Sequence, residues 1–406
     1  MPRYSILKRG PRAVWGLALA GALAAPTAMA QQEPPFPEPS PGTTFEQDEC
    51  ETIFTEGDSY ENCPTQTGPS TSTQLFTFVN DLRTRIIQQR RARQALERQG
   101  DEEQTAASGW RLGGAASADD EVSGVSAYGR LSPFVIADFA DSDRERTDAG
   151  QAYDQDTQSL IVGADYRVND TLFVGGTLNY LSGDTDFAND AGDIDIDAYL
   201  IGLHGSKYWG NNVFTDALVT YGQVESDITR NVELFGSTRR YTASPDGEEM
   251  SAEVAIGYEH SRGRTRITPL AKLHYFDGKL DAYTEDGPGF PGPQRVGEQD
   301  FDALNLQLAL QADTVYLMDW GVLIPSLNFS YYREFSDANT VQVSTGPFTT
   351  VNQTPDNPDR HTYVIRLGMH AQFTHGWTAF ASLEKLLHHD YMDRNNAVVG
   401  VRYEIF

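Results

Sequence analysis

From about Gly124 to the C-terminus, segments with a two-residue apolar period are joined alternately by very short and by long polar connections. In "TLFVGGTLNY" the residues Leu172, Val174, Gly176, Leu178 and Tyr180 share one face, and in "DALNLQLALQAD" Leu304, Leu306, Leu308 and Leu310 do the same. "RTRITPLAKLHY" sets Ile267, Ala271, Leu273 and Tyr275 against Arg264, Arg266, Lys272 and His274. Successive strand side chains point to opposite faces, so this is the pattern of strands with one apolar and one polar side. The short links are Val168 to Thr171, Gly210 to Asn212, Ser261 to Arg264, Met318 to Gly321 and His375-Gly376. Between them lie polar stretches such as "GDTDFANDAGD", "FGSTRRYTASPDGE" and "EDGPGFPGPQRVGEQD". A soluble sandwich shares the alternation but has no reason to sort its loop lengths. Short turns at one end and long loops at the other mark a transmembrane barrel. Five short and six long links predict an all-β fold, an antiparallel transmembrane β-barrel of about twelve strands. The closing "NAVVGVRYEIF" fits it, with Ala397, Val399, Val401, Tyr403 and Ile405 on one face.

The N-terminal part has a different character. Residues 1–30 carry Arg3, Lys8, Arg9 and Arg12, an apolar run from Ala13 to Ala25, and Ala28-Met29-Ala30, the organisation of a secretory signal peptide ending before Gln31. The apolar run falls short of the roughly 20 residues a spanning helix needs. Residues 31–73, rich in Pro, Ser, Thr and Glu, read as an extended or disordered segment. Cys50 and Cys63 lie there, and in an exported chain a disulfide closing that loop is the expected pairing. Residues 74–100 place Phe76, Val79, Leu82, Ile86 and Ile87 at helical spacing, with six arginines against Asp81 and Glu97, a net charge of +4. Residues 101–123 form a Gly/Ala/Asp-rich connector, and 124–406 the barrel. The whole chain has a net charge of -27, which argues against nucleic-acid partners. A basic helix in so acidic a protein is expected inside the barrel lumen, against inward-facing acids that include Asp216 and Glu404, the alternative being a helix lying on acidic lipid headgroups.

The twelve strands, the helix ahead of them and the ending "GVRYEIF" together resemble the autotransporter β-domains of Gram-negative bacteria. That resemblance implies a helix threaded through the lumen and a closed monomer in outer-membrane lipid. It also implies recognition by the outer-membrane assembly machinery through a C-terminal signal, matched here by Gly400, Tyr403 and Ile405, with Phe406 one residue beyond. "FVNDLRTRI" is similar to the segment in which some members cut themselves, which would make Asn80 the nucleophile.

Little else suggests chemistry. His388-His389-Asp390 sits at an external connection and reads as solvated surface. The acidic stretch Gly183 to Asp197 lacks the regularity of a calcium loop and reads as a solvated, repulsive loop. No cofactor, metal site or enzymatic activity is expected. The function expected is an outer-membrane barrel that anchors and translocates or displays its own short N-terminal segment. The alternative is a stand-alone channel or adhesin acting through its external loops.

Overall fold

The structure, a computed structural model, describes residues 130–147, 150–169, 171–289, 292–337, 341–345, 349–353, 359–373 and 376–405. The signal peptide, the segment with Cys50 and Cys63, the basic helix with Asn80, the connector and Phe406 lie outside the described residues.

Twelve strands form the wall: β1 (Leu131–Arg144), β2 (Tyr153–Asn169), β3 (Leu172–Phe187), β4 (Gly192–Tyr208), β5 (Val213–Leu234), β6 (Asp246–Tyr258), β7 (Thr265–Leu280), β8 (Gln299–Thr314), β9 (Gly321–Glu334), β10 (His361–Phe373), β11 (Trp377–Leu387) and β12 (Met392–Tyr403). Each pairs antiparallel with the next. β12 returns to β1 in a register running from Phe134↔Arg402 to Arg144↔Met392, extended by a bridge between Leu131 and Ile405. Closure removes every free edge, the condition for exposing strands to hydrocarbon.

The alternation sorts the faces as the sequence implies. Leu178, Leu203 and Leu383 point outward at 65%, 73% and 64% exposure. Their neighbours Thr177, His204 and Glu384 point inward and are buried. Two aromatic rings border this apolar belt. At the short-turn end stand Trp209, Tyr258, Tyr316, Trp320, Phe373 and Trp377, and at the other Tyr180, Tyr199, Tyr221 and Tyr275, all exposed. Amphipathic rings at both rims are what two lipid–water interfaces select.

The five short links each join consecutive wall strands, as expected. Several stretches read as long loops are not loops. Gly183 to Asp197 is the continuation of β3 and β4, joined by a tight turn at Ala188–Asp190 where Asn189 and Asp190 take positive φ. Its strand acids occupy only outward positions, and Phe187, Ile194 and Ile196 alternate with them facing inward. Composition suggested a loop, whereas the period is that of a strand. Likewise Ser237–Ala243 pairs back onto β5, from Leu234↔Ser237 to Ile228↔Ala243, and prolongs that hairpin. The β7–β8 and β9–β10 connections share a small sheet of four strands, Tyr283–Thr284, Gln294–Val296, Val341–Thr345 and Thr349–Gln353.

Candidate functional site

Inside the belt the wall carries charge. Asp165 of β2 lies 2.7 Å from His204 Nε2 of β4 and 3.3 Å from Arg402 of β12. Arg366 of β10 donates through Nε to Glu384 of β11 at 2.9 Å, and Arg394 of β12 reaches the other oxygen of Glu384 at 3.3 Å. Lys272 Nζ is 2.8 Å from Glu253, and Arg266 is 2.5 Å from Glu259. All these side chains are nine-tenths buried or more. Among the buried charged residues, acids outnumber bases. Buried ions persist only when paired and hydrogen-bonded, so these pairs brace strands one or two apart from within.

Glycines make room for inward aromatic rings on the adjacent strand. A Cβ at Gly400 would lie 2.1 Å from the Phe380 ring, which covers its cross-strand partner. Phe134 covers Gly163 and Phe214 covers Gly257 in the same way. Gly400 therefore has a packing reason independent of any targeting role.

Above the belt the polarity of the two faces reverses. Inward there is an apolar cluster of Tyr153, Leu181, Phe187, Ile194, Ile196, Leu200, Val224, Ile228 and Phe276. Outward there are two rows of carboxylates. Asp141↔Asp156↔Asp184↔Asp195↔Asp227 are direct cross-strand partners from β1 to β5. Asp393↔Asp143↔Asp154↔Asp186↔Asp193 form a second row from β12 to β4. Like charges directly opposite one another destabilise a sheet. This stretch stands beyond the aromatic ring at Tyr199, outside the belt. There Asp195 has its pKa pushed up to about 6, by partial burial first and then by the carboxylates of Asp184, Asp193 and Asp227. Asp154 and Asp156 are raised for the same reasons. The sequence reading missed these rows. Their signal was the repeated Asp-x-Asp, which alternation alone aligns on one face.

Asp216 faces inward and accepts a 2.6 Å hydrogen bond from Ser206 Oγ, and Glu404 is 0% exposed. Gly400 and Tyr403 lie in β12, and Ile405 donates its N–H to the Leu131 carbonyl at 3.0 Å, so the terminal motif is also the closing seam. His388-His389-Asp390 forms the β11–β12 turn. The Tyr391 N–H donates to His389 Nδ1 at 3.4 Å, and burial lowers the pKa of that imidazole. No serine hydroxyl contacts either ring among the described residues.

Comparison with known proteins agrees with this geometry. The chain is 23% identical over 239 residues to Lipase 1 of Photorhabdus luminescens, covering 56% of this chain and 35% of that protein. It is 24% identical over 260 residues to the uncharacterised YaiT of Escherichia coli, covering 62% and 25% respectively. The match thus spans about a quarter to a third of the curated relatives. The translocator domain of the autotransporter NalP from Neisseria meningitidis superposes with a TM-score of 0.56, at 15% identity, over 76% of this chain and 95% of that one. The β-domain of the Bordetella autotransporter Brka does so with 0.52, at 16% identity, over 68% and 100%. The autotransporter β-domain family profile matches residues 134–384. With its closed twelve-stranded wall, girdled exterior and charged lumen, the chain belongs to the autotransporter β-domain family, whose barrel is built for the outer membrane.

Proposed function

We propose that this barrel anchors its own N-terminal segment in the outer membrane and translocates or displays residues 31–73 outside the cell. The observation that carries this reading is charge. A lumen with more buried acids than bases follows, after the connector of residues 101–123, on a segment, residues 74–100, with a net charge of +4. A basic helix there would be held by forks of arginine on inward carboxylates. In this reading Cys50 and Cys63 close a disulfide loop in the displayed segment, and Asn80 is the internal position from which it could be released. Gly400, Tyr403, Ile405 and Phe406 serve as the signal read by the assembly machinery. The barrel residues act as scaffold and conduit, without an enzymatic role, and the protein works as a monomer. The name Lipase 1 describes that relative as a whole, and nothing catalytic is carried over from it.

The test places Ser40. With Cys50 and Cys63 changed to serine, Ser40→Cys should react with a membrane-impermeant maleimide on intact cells. Reaction only after the outer membrane is opened would overturn display. It would favour a stand-alone channel or adhesin that acts through its external loops.

A further inference from the structure

The β7–β8 connection lies on the inner side of the external extension. Along β5, Ser226, Ile228, Arg230, Val232 and Leu234 continue the inward-facing series of the lumen. Arg230 pairs across the hairpin with Tyr241, and its guanidinium stacks 4.5 Å from that ring's centroid. Onto this inner surface Glu285 presents its carboxylate. Arg230 donates to it twice, through Nε at 2.8 Å and a terminal nitrogen at 2.5 Å. The Gln294 N–H donates to the same carboxylate at 2.7 Å. Arg230 and Glu285 are each 4% exposed, and Tyr241 is fully buried. Thr242 and Asp286 exchange two backbone hydrogen bonds, at 2.8 and 2.9 Å. Gly287 lies flat on Tyr241, where a Cβ would come within 2.4 Å of the ring. Tyr283 packs against the apolar cluster that lines the mouth, and Gln294–Val296 pairs onward with Val341–Thr345 of the β9–β10 connection.

We propose that Tyr283–Gly289 and Gly292–Val296 form a strap that narrows the external mouth of the barrel on its β5 to β9 side, beside the path of the displayed segment, latched by the buried Arg230–Glu285 pair on Tyr241. The chain of contacts runs inside the wall from the β5 hairpin to the β9–β10 connection, with Tyr283 seated on the apolar cluster. On that side water and solutes outside meet an ion-locked cover before they meet the charged lumen. A bidentate arginine pair suits a latch. It holds geometry tightly while closed, and removing one partner strands a buried charge, which favours opening.

The test uses the full chain on intact cells, with Cys50 and Cys63 changed to serine and a reporter thiol at Ser226→Cys, an inward position 4% exposed below the strap. A membrane-impermeant maleimide should label it slowly. Glu285→Ala should raise the rate by about tenfold or more, as expected when one partner of a buried pair is lost. Gly287→Val should raise it similarly by prising the strap off Tyr241 without touching charge. It decides the matter if Glu285→Ala fails to show the heat-modifiable mobility of a folded barrel. Arg230→Met with Glu285→Leu, an apolar pair of similar bulk, should stay slow. Labelling at the parent rate in both opening variants overturns the strap. Fast labelling in the apolar pair overturns the latch.

Discussion

Within the belt, strands β1 to β5 put leucine and valine outward and charge inward. A few residues further on, the same strands put aspartate outward and isoleucine, leucine and aromatics inward. In β4 the change is compressed into Ala198 to Ile201. Ile194, Ile196 and Leu200 face in, while Tyr199, Ile201 and Leu203 face out. The backbone pleat does not change phase, so the difference lies in the solvent. Hydrocarbon demands an apolar exterior and leaves the interior free to be polar. Water beyond the headgroups allows a charged exterior, and the interior there becomes a core like that of a soluble protein. The tyrosines at 180, 199 and 221 mark where one regime gives way to the other.

The largest effect should come from breaking the charged interior. Glu384→Ala leaves Arg366 and Arg394 buried without their shared carboxylate, at a cost of about 3–5 kcal/mol. Urea titration of the barrel refolded in lipid vesicles would show it, and Glu384→Gln should lose less. Next comes the exterior. Leu203→Arg puts a charge on the lipid face and should cost about 2–4 kcal/mol in the same titration. Asp195→Arg, on the same face eight residues earlier, should cost nothing, because it meets water and carboxylates. Equal losses in the two would deny the change of solvent.

The smallest effect has the opposite sign. Asp184→Asn with Asp195→Asn removes like charges from one row and should stabilise the extension by about 0.2–1 kcal/mol per relieved pair. The pH dependence follows from the raised pKa of Asp195. Protons bind the folded extension more readily than the open chain, so the stabilisation is full below the ordinary carboxylate range. It is lost as pH rises through about 6. Amide protection factors across residues 184–197 should therefore be higher near pH 5 than near pH 7.5. The double asparagine variant should flatten that difference. A protein equally protected at both pH values would show that the rows carry no strain.

What the sequence determined by itself was whatever depends on local period: which residue of each strand faces out, how many strands there are, and which connections are short at one end of the barrel. Ala397 to Ile405 could be assigned to faces from spacing alone because side-chain direction alternates residue by residue. The extent of β3, β4 and β5 was hidden, since a strand with aspartate at every second outward position has the composition of a loop. Only the tertiary structure decided which residues meet. Asp141, Asp156, Asp184, Asp195 and Asp227 become one row because four separate pairings share a register. Gly400 belongs under Phe380, and Glu285 under Arg230, for the same kind of reason. Cross-strand register and the path of a connection are fixed by closing the barrel and packing its mouth. Those are properties of the whole circle, which no single segment of the chain encodes.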